Sequence, residues 1–349
     1  MRTLASSSDA ARACRTDLDA LPAFLIENDT GAPAHRHRHG EAALEAALAR
    51  EREAAARVVG ADQALVVLRR YLAAWRPGHL GVTSSSAQPA AAPKPKPNDA
   101  PRLTLLSPKA LLLTLPSFEP RHRARLEQLL AEIGAEFETR PHWVVDVRGN
   151  PGGSDHTYAP LLAWLIGNEW ISVGVEFLAT PANIAAHERL GQTLGQADLQ
   201  GAALLHRLIA ALRAAAPGTW ARLEEERDGF TRRQPEPVSF RRPARVAVLI
   251  DRDCGSAGEQ FLLDVRQSRS VKLLGRPTRG VLDHSNVRPH PLPSGAHVLW
   301  YATSRSLRLP HFPIDGIGVA PDVYLPAPHD AAERDAEILA AQHFLDSGH

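Results

Sequence analysis

The stretch CGSAGE, residues 254–259, holds one hydroxyl, that of Ser256, among small side chains. It stands where a strand-like run, ARVAVLID (244–251), gives way to an apolar helical pattern. Two chemistries suit a serine there. Its hydroxyl can cap the helix by accepting a backbone N–H. It can also serve as a nucleophile, with the open N–H groups of a helix start, such as that of Ala257, ready to hold an oxyanion. Glu259 follows three residues later, at capping-box spacing, and suits either a cap or a hydrogen-bonding support of the site. Cys254 is a nucleophile by type, but no motif surrounds it, and it reads as a small buried apolar residue.

A second stretch, RGNPGGSD (148–155), follows the strand-like HWVVDV (142–147). Two adjacent glycines, Gly152 and Gly153, expose successive N–H groups that can cradle an anion, or simply make a tight turn. No GK[ST] follows, so this is not a P-loop, and the spacing of a dinucleotide fingerprint is absent. The α/β-hydrolase elbow G-x-S-x-G is excluded as well, because Cys254 stands where its first glycine belongs.

Four stretches, VVDVRGNPGGSD, VLIDRDCGSAGEQF, VKLLGRPTRG and IDGIGVAPDV, occur in the order and rough spacing of the S41 serine peptidases. The sequence resembles the C-terminal-processing and tricorn-core-like members over residues 103–326, and the helices ending in RPGHL resemble that family's leading region. The resemblance implies an α/β fold with a ClpP/crotonase-like spiral core. It also implies Ser256 as nucleophile, with an oxyanion hole made by a backbone N–H in Gly152–Gly153 and that of Ala257. Two features depart from the C-terminal-processing pattern. Val281 stands where its lysine base belongs, with Lys272 too early to replace it, and no PDZ module is present. The tricorn-like branch uses a histidine from before the core, supported by an acidic residue near the GxxPD motif. Here that implies His79 in PGHL and Asp315 in FPIDG. Histidine suits general-base work near neutral pH, and a carboxylate fixes its tautomer.

His284, next to Asp283 and near the vacated lysine position, is the alternative base. His156 reads as a solvated or substrate-contacting loop residue. Arg305 or Arg308 suits recognition of a substrate carboxylate, or an ordinary surface strand. HRHRH (35–39) reads as a solvated loop rather than a metal site, lacking Cys or carboxylate partners. No metal and no cofactor are expected.

These residues need a scaffold. Residues 8–30 and 40–76 carry helical periodicity, interrupted near Gly60, and make a small helical N-terminal region (1–84). The Pro-, Ala- and Lys-rich 85–101 reads as a linker. In the core, 102–349, strands are expected at 110–118, 142–147, 169–179, 244–251, SVKLLGR and AHVLWYATSRSLRL. Helices are expected over EPRHRARLEQLLAEIGAEF, YAPLLAWLIG and most of 182–228. The alternation indicates a substantially parallel sheet, whose strand C-terminal ends carry the ligand loops.

Lys plus Arg is 40 against 39 Asp plus Glu, so charge supports neither a nucleic-acid nor a membrane partner. The expected partner is a peptide or protein substrate, with the oligomeric state open. Two cysteines make no disulfide framework, and the N-terminal residues lack a secretory apolar core. The compartment is therefore cytoplasmic if the start is genuine, and periplasmic or secreted if an export signal is missing. The leading function is a serine peptidase. The alternatives are a non-catalytic ligand- or peptide-binding protein on the same scaffold, as in retinoid-binding relatives, and, more distantly, a crotonase-type acyl-CoA enzyme.

Overall fold

The computed structural model describes residues 7–85, 100–134, 140–193, 199–223, 228–235 and 237–347. The fold is mixed α/β with a helical N-terminal region. Most of the expected linker, residues 86–99, lies outside the described residues. The chain forms two compact units that interleave along the sequence. One draws on 1–91, 173–229 and 284–310, the other on 92–172, 230–283 and 311–349.

The second unit is built on a six-stranded sheet. In spatial order its strands are Val323–Tyr324, Val271–Gly275, Arg245–Ile250, His142–Asp146, Ala110–Thr114 and Arg102–Leu105. All neighbours are parallel except the last pair. The central strands ALLLT, HWVVD and RVAVLI are near-continuous apolar runs because both faces are covered. On one face Leu111, Leu113, Trp143, Val145, Val246 and Val248 meet the helices Arg123–Glu132, Asp155–Leu165 and Ala257–Val265. On the other, Leu112, Val144, Ala247 and Leu249 meet Ala341 and Leu345 of the C-terminal helix Ala331–Ser347, which the sequence reading did not anticipate.

The first unit holds an antiparallel sheet centred on the long strand His297–Ser306. Gly81–Ser84, Val175–Leu178 and His284–Pro291 all pair with it. The helices Ser7–Asn28, Glu41–Ala55 and Ala61–Trp75 pack their apolar faces together with Leu299 and Tyr301 of that strand. Two readings need correction. HRHRH lies on the helix Ala32–His39, not on a loop, with Pro33 in its first turn where a missing N–H costs nothing. The run 169–179 is two strands, Trp170–Val173 and Val175–Leu178, with Gly174 between them.

Candidate active site

The nucleophile candidate sits in the second unit, between the strand Arg245–Ile250 and the helix Ala257–Val265. Ser256 has φ 56° and ψ −125°, outside the regions a β-carbon tolerates readily. Such strain persists only where the surroundings enforce it. The enforcement is visible. Gly255 N–H donates to the Asn150 carbonyl at 3.0 Å, tying the serine turn to the Gly-Gly turn. A β-carbon built on Gly152 would stand 2.7 Å from Ser256 Cβ and 3.0 Å from Ala257 N. Only glycine permits that approach, and Gly152 also has φ +107°.

The donors differ in availability. Ala257 is the first helical residue, and its N–H has no acceptor among the described residues. Gly153 N–H is likewise unengaged there, while its neighbours Gly152 and Ser154 bond Phe118 on both sides. Gly152 N–H donates to Asn150 Oδ1 at 2.9 Å, which leaves Gly153 as the open donor of the pair. Asn150, fully buried and missed by sequence reasoning, also donates from Nδ2 to the Leu115 carbonyl.

Glu259 is fully buried, and its carboxylate accepts four hydrogen bonds. Ser256 N–H and Val281 N–H reach Oε2 at 3.1 and 3.0 Å. Thr278 Oγ1 and Gly280 N–H reach Oε1, each at 2.6 Å. A carboxylate so occupied positions the serine turn against the PTRGV loop; it is not a proton shuttle. Val281, on the vacated lysine position, has its Cγ2 3.1 Å from where a Gly255 β-carbon would stand. A methyl group therefore fills the place of an amine beside the serine loop.

Beneath these loops the C-terminal helix supplies a charge-balanced floor. Glu337 bonds both Arg148 and Arg276, while Asp146 pairs with Arg148 and Arg334 with Asp251. Asp251 in turn accepts N–H bonds from Gly149, Asp253 and Cys254. Cys254 is fully buried, and burial pushes its thiol well above the usual range, so it carries no thiolate chemistry.

Both candidate bases lie in the first unit and are linked to each other. His79 Nδ1 donates to the His284 carbonyl at 2.7 Å. His284 Nδ1 lies 3.1 Å from Thr30 Oγ1, whose own proton goes to the Ser304 carbonyl. Thr30 is therefore the acceptor. His79 has φ 45°, and Arg76 holds that turn. Its guanidinium donates to the carbonyls of Gly78 at 2.6 Å and His79 at 3.3 Å while pairing with buried Asp29 at 2.6 Å.

The remaining candidates fall elsewhere. Asp315 Oδ1 accepts Asp283 N–H at 2.7 Å, and Asp283 Oδ2 accepts the N–H of Ile314 and of Asp315. These two acids clasp the 311–318 loop to the end of the PTRGV loop. Arg305 does not present an open fork to a substrate, contrary to expectation. Its guanidinium pairs with Glu176 at 2.7 Å and lies 3.7 Å over the Trp220 ring. His156 is exposed on the first turn of the helix Asp155–Leu165, and Lys272 is exposed on its strand. Among the described residues no cluster of His, Cys, Asp or Glu could hold a metal ion, and no helix is long and apolar enough to cross a membrane.

Comparison with known proteins gives this geometry a context. Among solved structures, a candidate peptidase from Parabacteroides merdae aligns over 98% of this chain and 99% of its own, at TM-score 0.57 and 14% identity. A lipoprotein from Streptococcus agalactiae aligns over 100% and 99%, at TM-score 0.54 and 14% identity. Mature CPAF complexed with lactacystin aligns over 68% of this chain and 50% of its own, at TM-score 0.47 and 18% identity. These likenesses concern the fold. No curated protein matches the sequence. The model of Peptidase family S41 matches residues 109–325, well over half of the chain, and the chain belongs to that family.

Proposed function

We propose that the protein is a serine peptidase in which Ser256 attacks the scissile carbonyl and a histidine, His79, takes its proton. The same histidine then returns the proton to the leaving amine, and water repeats the sequence on the acyl-enzyme. The N–H groups of Gly153 and Ala257 hold the tetrahedral oxyanion, each donor lowering the barrier by about 3 kcal/mol. Asp315 is assigned an acidic supporting role, and His284 is the substitute base. The observation that carries the reading is the strained Ser256 turn pressed onto Gly152 beside two unengaged N–H groups.

Reaction with a fluorophosphonate probe tests it. Ser256 becomes labelled in the wild type, and Ser256→Ala loses both labelling and peptide hydrolysis while keeping its thermal midpoint. Hydrolysis retained in Ser256→Ala overturns the mechanism. Val281 favours a second reading, because a valine on the lysine position is what a scaffold kept for binding peptides or other ligands would tolerate. Absence of labelling from pH 6 to 9, with peptide binding intact, supports that reading instead.

A further inference from the structure

Arg288 lacks what the other arginines lodged in the interior have. Arg76, Arg148 and Arg276 each face a carboxylate. Arg288, partly buried on the strand His284–Pro291 and opposite Tyr301, faces none among the described residues. Its Nε–H points at His187 Nδ1 at 3.5 Å, and one NH1 hydrogen goes to the Val287 carbonyl of its own strand at 2.9 Å. The rest of the guanidinium fork has no acceptor there.

The neighbours do not supply a negative charge. His187 Nε2–H donates to Thr303 Oγ1, whose proton is committed to the Asn286 carbonyl, so its ring is neutral. Burial, with Arg288 beside it, pushes His187 down to about 3. Tyr301 donates its phenol proton to Asn183 Oδ1 at 2.8 Å and is neutral too. His290 stacks on Phe24 at 4.0 Å. A carboxylate whose charge reaches Tyr301, Asp29, is already paired with Arg76, and the other charge nearby is a second cation. Arg189, exposed on the helix Pro181–Thr193, reaches the Pro289 carbonyl at 3.5 Å, and its charge and that of Arg288 both bear on Tyr301. Arg288 is partly buried, and two cations side by side repel, so an anion gains at the open edge of its fork. The arrangement makes sense if the counter-charge arrives with a ligand.

We propose that Arg288, with Arg189 beside it, binds a carboxylate carried by a peptide substrate, either an acidic side chain or a C-terminal carboxylate. A planar fork matches a carboxylate in two parallel hydrogen bonds. Arg288 lies four residues along the strand from His284, roughly 14 Å at strand rise. Only the identity of the carrier as a peptide substrate rests on the peptidase reading.

The test uses full-length protein carrying Ser256→Ala, so that peptides bind without being consumed. Fluorescence anisotropy compares octapeptides of alanine and serine bearing one Glu or one Gln, and peptides with a free or an amidated C-terminus. One carboxylated member binds about ten-fold or more tightly than its neutral partner, and the arm that shows it names the source. The difference falls to within two-fold in Arg288→Met and shrinks in Arg189→Gln, an exposed substitution that leaves the interior untouched. Equal binding of carboxylated and neutral peptides, no binding of any, or a difference unchanged in Arg189→Gln overturns the proposal. A carboxylate preference that depends on Arg288, in a protein whose Ser256 takes no fluorophosphonate, supports the site and sinks the peptidase reading alone.

Discussion

The serine turn and the histidine turn solve one mechanical problem with opposite charges. Each places its reactive residue at positive φ, 56° at Ser256 and 45° at His79. Each is held by a single buried ionic side chain. At the serine the holder is a carboxylate, Glu259, collecting N–H and O–H donors. At the histidine it is a guanidinium, Arg76, collecting carbonyls. The difference follows from which backbone groups the neighbouring turn points inward. Beside Glu259 these are the N–H groups of Ser256, Gly280 and Val281, and beside Arg76 they are the carbonyls of Gly78 and His79, just past the helix Ala61–Trp75. The exposed backbone group thus selects the sign of the brace.

The comparison breaks most severely at Glu259. Glu259→Ala leaves four donors facing an apolar cavity and costs about 3–5 kcal/mol, the range for removing one partner of a buried charged network. Ser256 labelling falls by about a hundred-fold or more as the turn relaxes. Glu259→Gln, which keeps one acceptor oxygen, loses less on both measures. Urea unfolding and the rate of probe labelling read the two effects separately. Labelling at the wild-type rate in Glu259→Ala would show that the strain is not held from that side.

The histidine brace gives a smaller effect with more resolution. Arg76→Lys keeps a cation for Asp29 but loses the fork that grips Gly78 and His79, and lowers kcat by roughly ten- to a hundred-fold with KM little changed. Thr30→Val removes the acceptor for the His284 ring and leaves the His284 carbonyl, hence the His79 ring, in place. If His79 is the base, Thr30→Val changes kcat by less than about two-fold. The reverse pattern, a large loss in Thr30→Val and none in Arg76→Lys, assigns the base to His284.

What the sequence disclosed and what it withheld divide along the same physical line. Strands buried on both faces read as apolar runs, and loops at their ends read through Gly and Pro. The parallel sheet and the Ser256, Gly152–Gly153 and PTRG loops were therefore visible. The strand His284–Pro291 was not, because HSNVRPHP carries two prolines and polar side chains on an element that only pairing with His297–Ser306 makes extended. Nor could spacing reveal that Asp29 and Arg76, far apart in sequence, form one buried pair, or that Asn150 bonds both the Gly152 turn and the Ser256 turn. That Gly152 and Gly153 both have positive φ but only Gly153 keeps an open N–H depends on where one side-chain oxygen lands. Residue types announced the chemistry; the braces are tertiary and carry no local signature.

The smallest net effect is a response to pH that differs between the units. In the first, burial and then Arg288 push His187 down to about 3. The unfolded chain, with an ordinary histidine near 6.5, binds that proton first, so this unit loses stability as pH falls below about 6.5. In the second, burial and then the Asp155 carboxylate push Asp264 up to about 7. The folded state takes that proton first, so this unit gains stability as pH falls from about 7 toward 4. Between pH 7 and 5 the His187 and Asp264 contributions each amount to roughly 2 kcal/mol, with opposite sign. Burial also pushes Asp155 up to about 6, which adds to the second unit's response, so global unfolding free energy should be somewhat higher at pH 5 than at pH 7. Amide exchange, read locally, should show faster opening around Thr303 and His187 at pH 5 once corrected for intrinsic rates, and slower opening in the helix Ala257–Val265. Replacing both Asp155 and Asp264 with Asn removes the second response and leaves the first, so that acidification then destabilises the whole chain. Protection that moves in the same direction in both units would mean that the two buried groups do not titrate as their surroundings dictate.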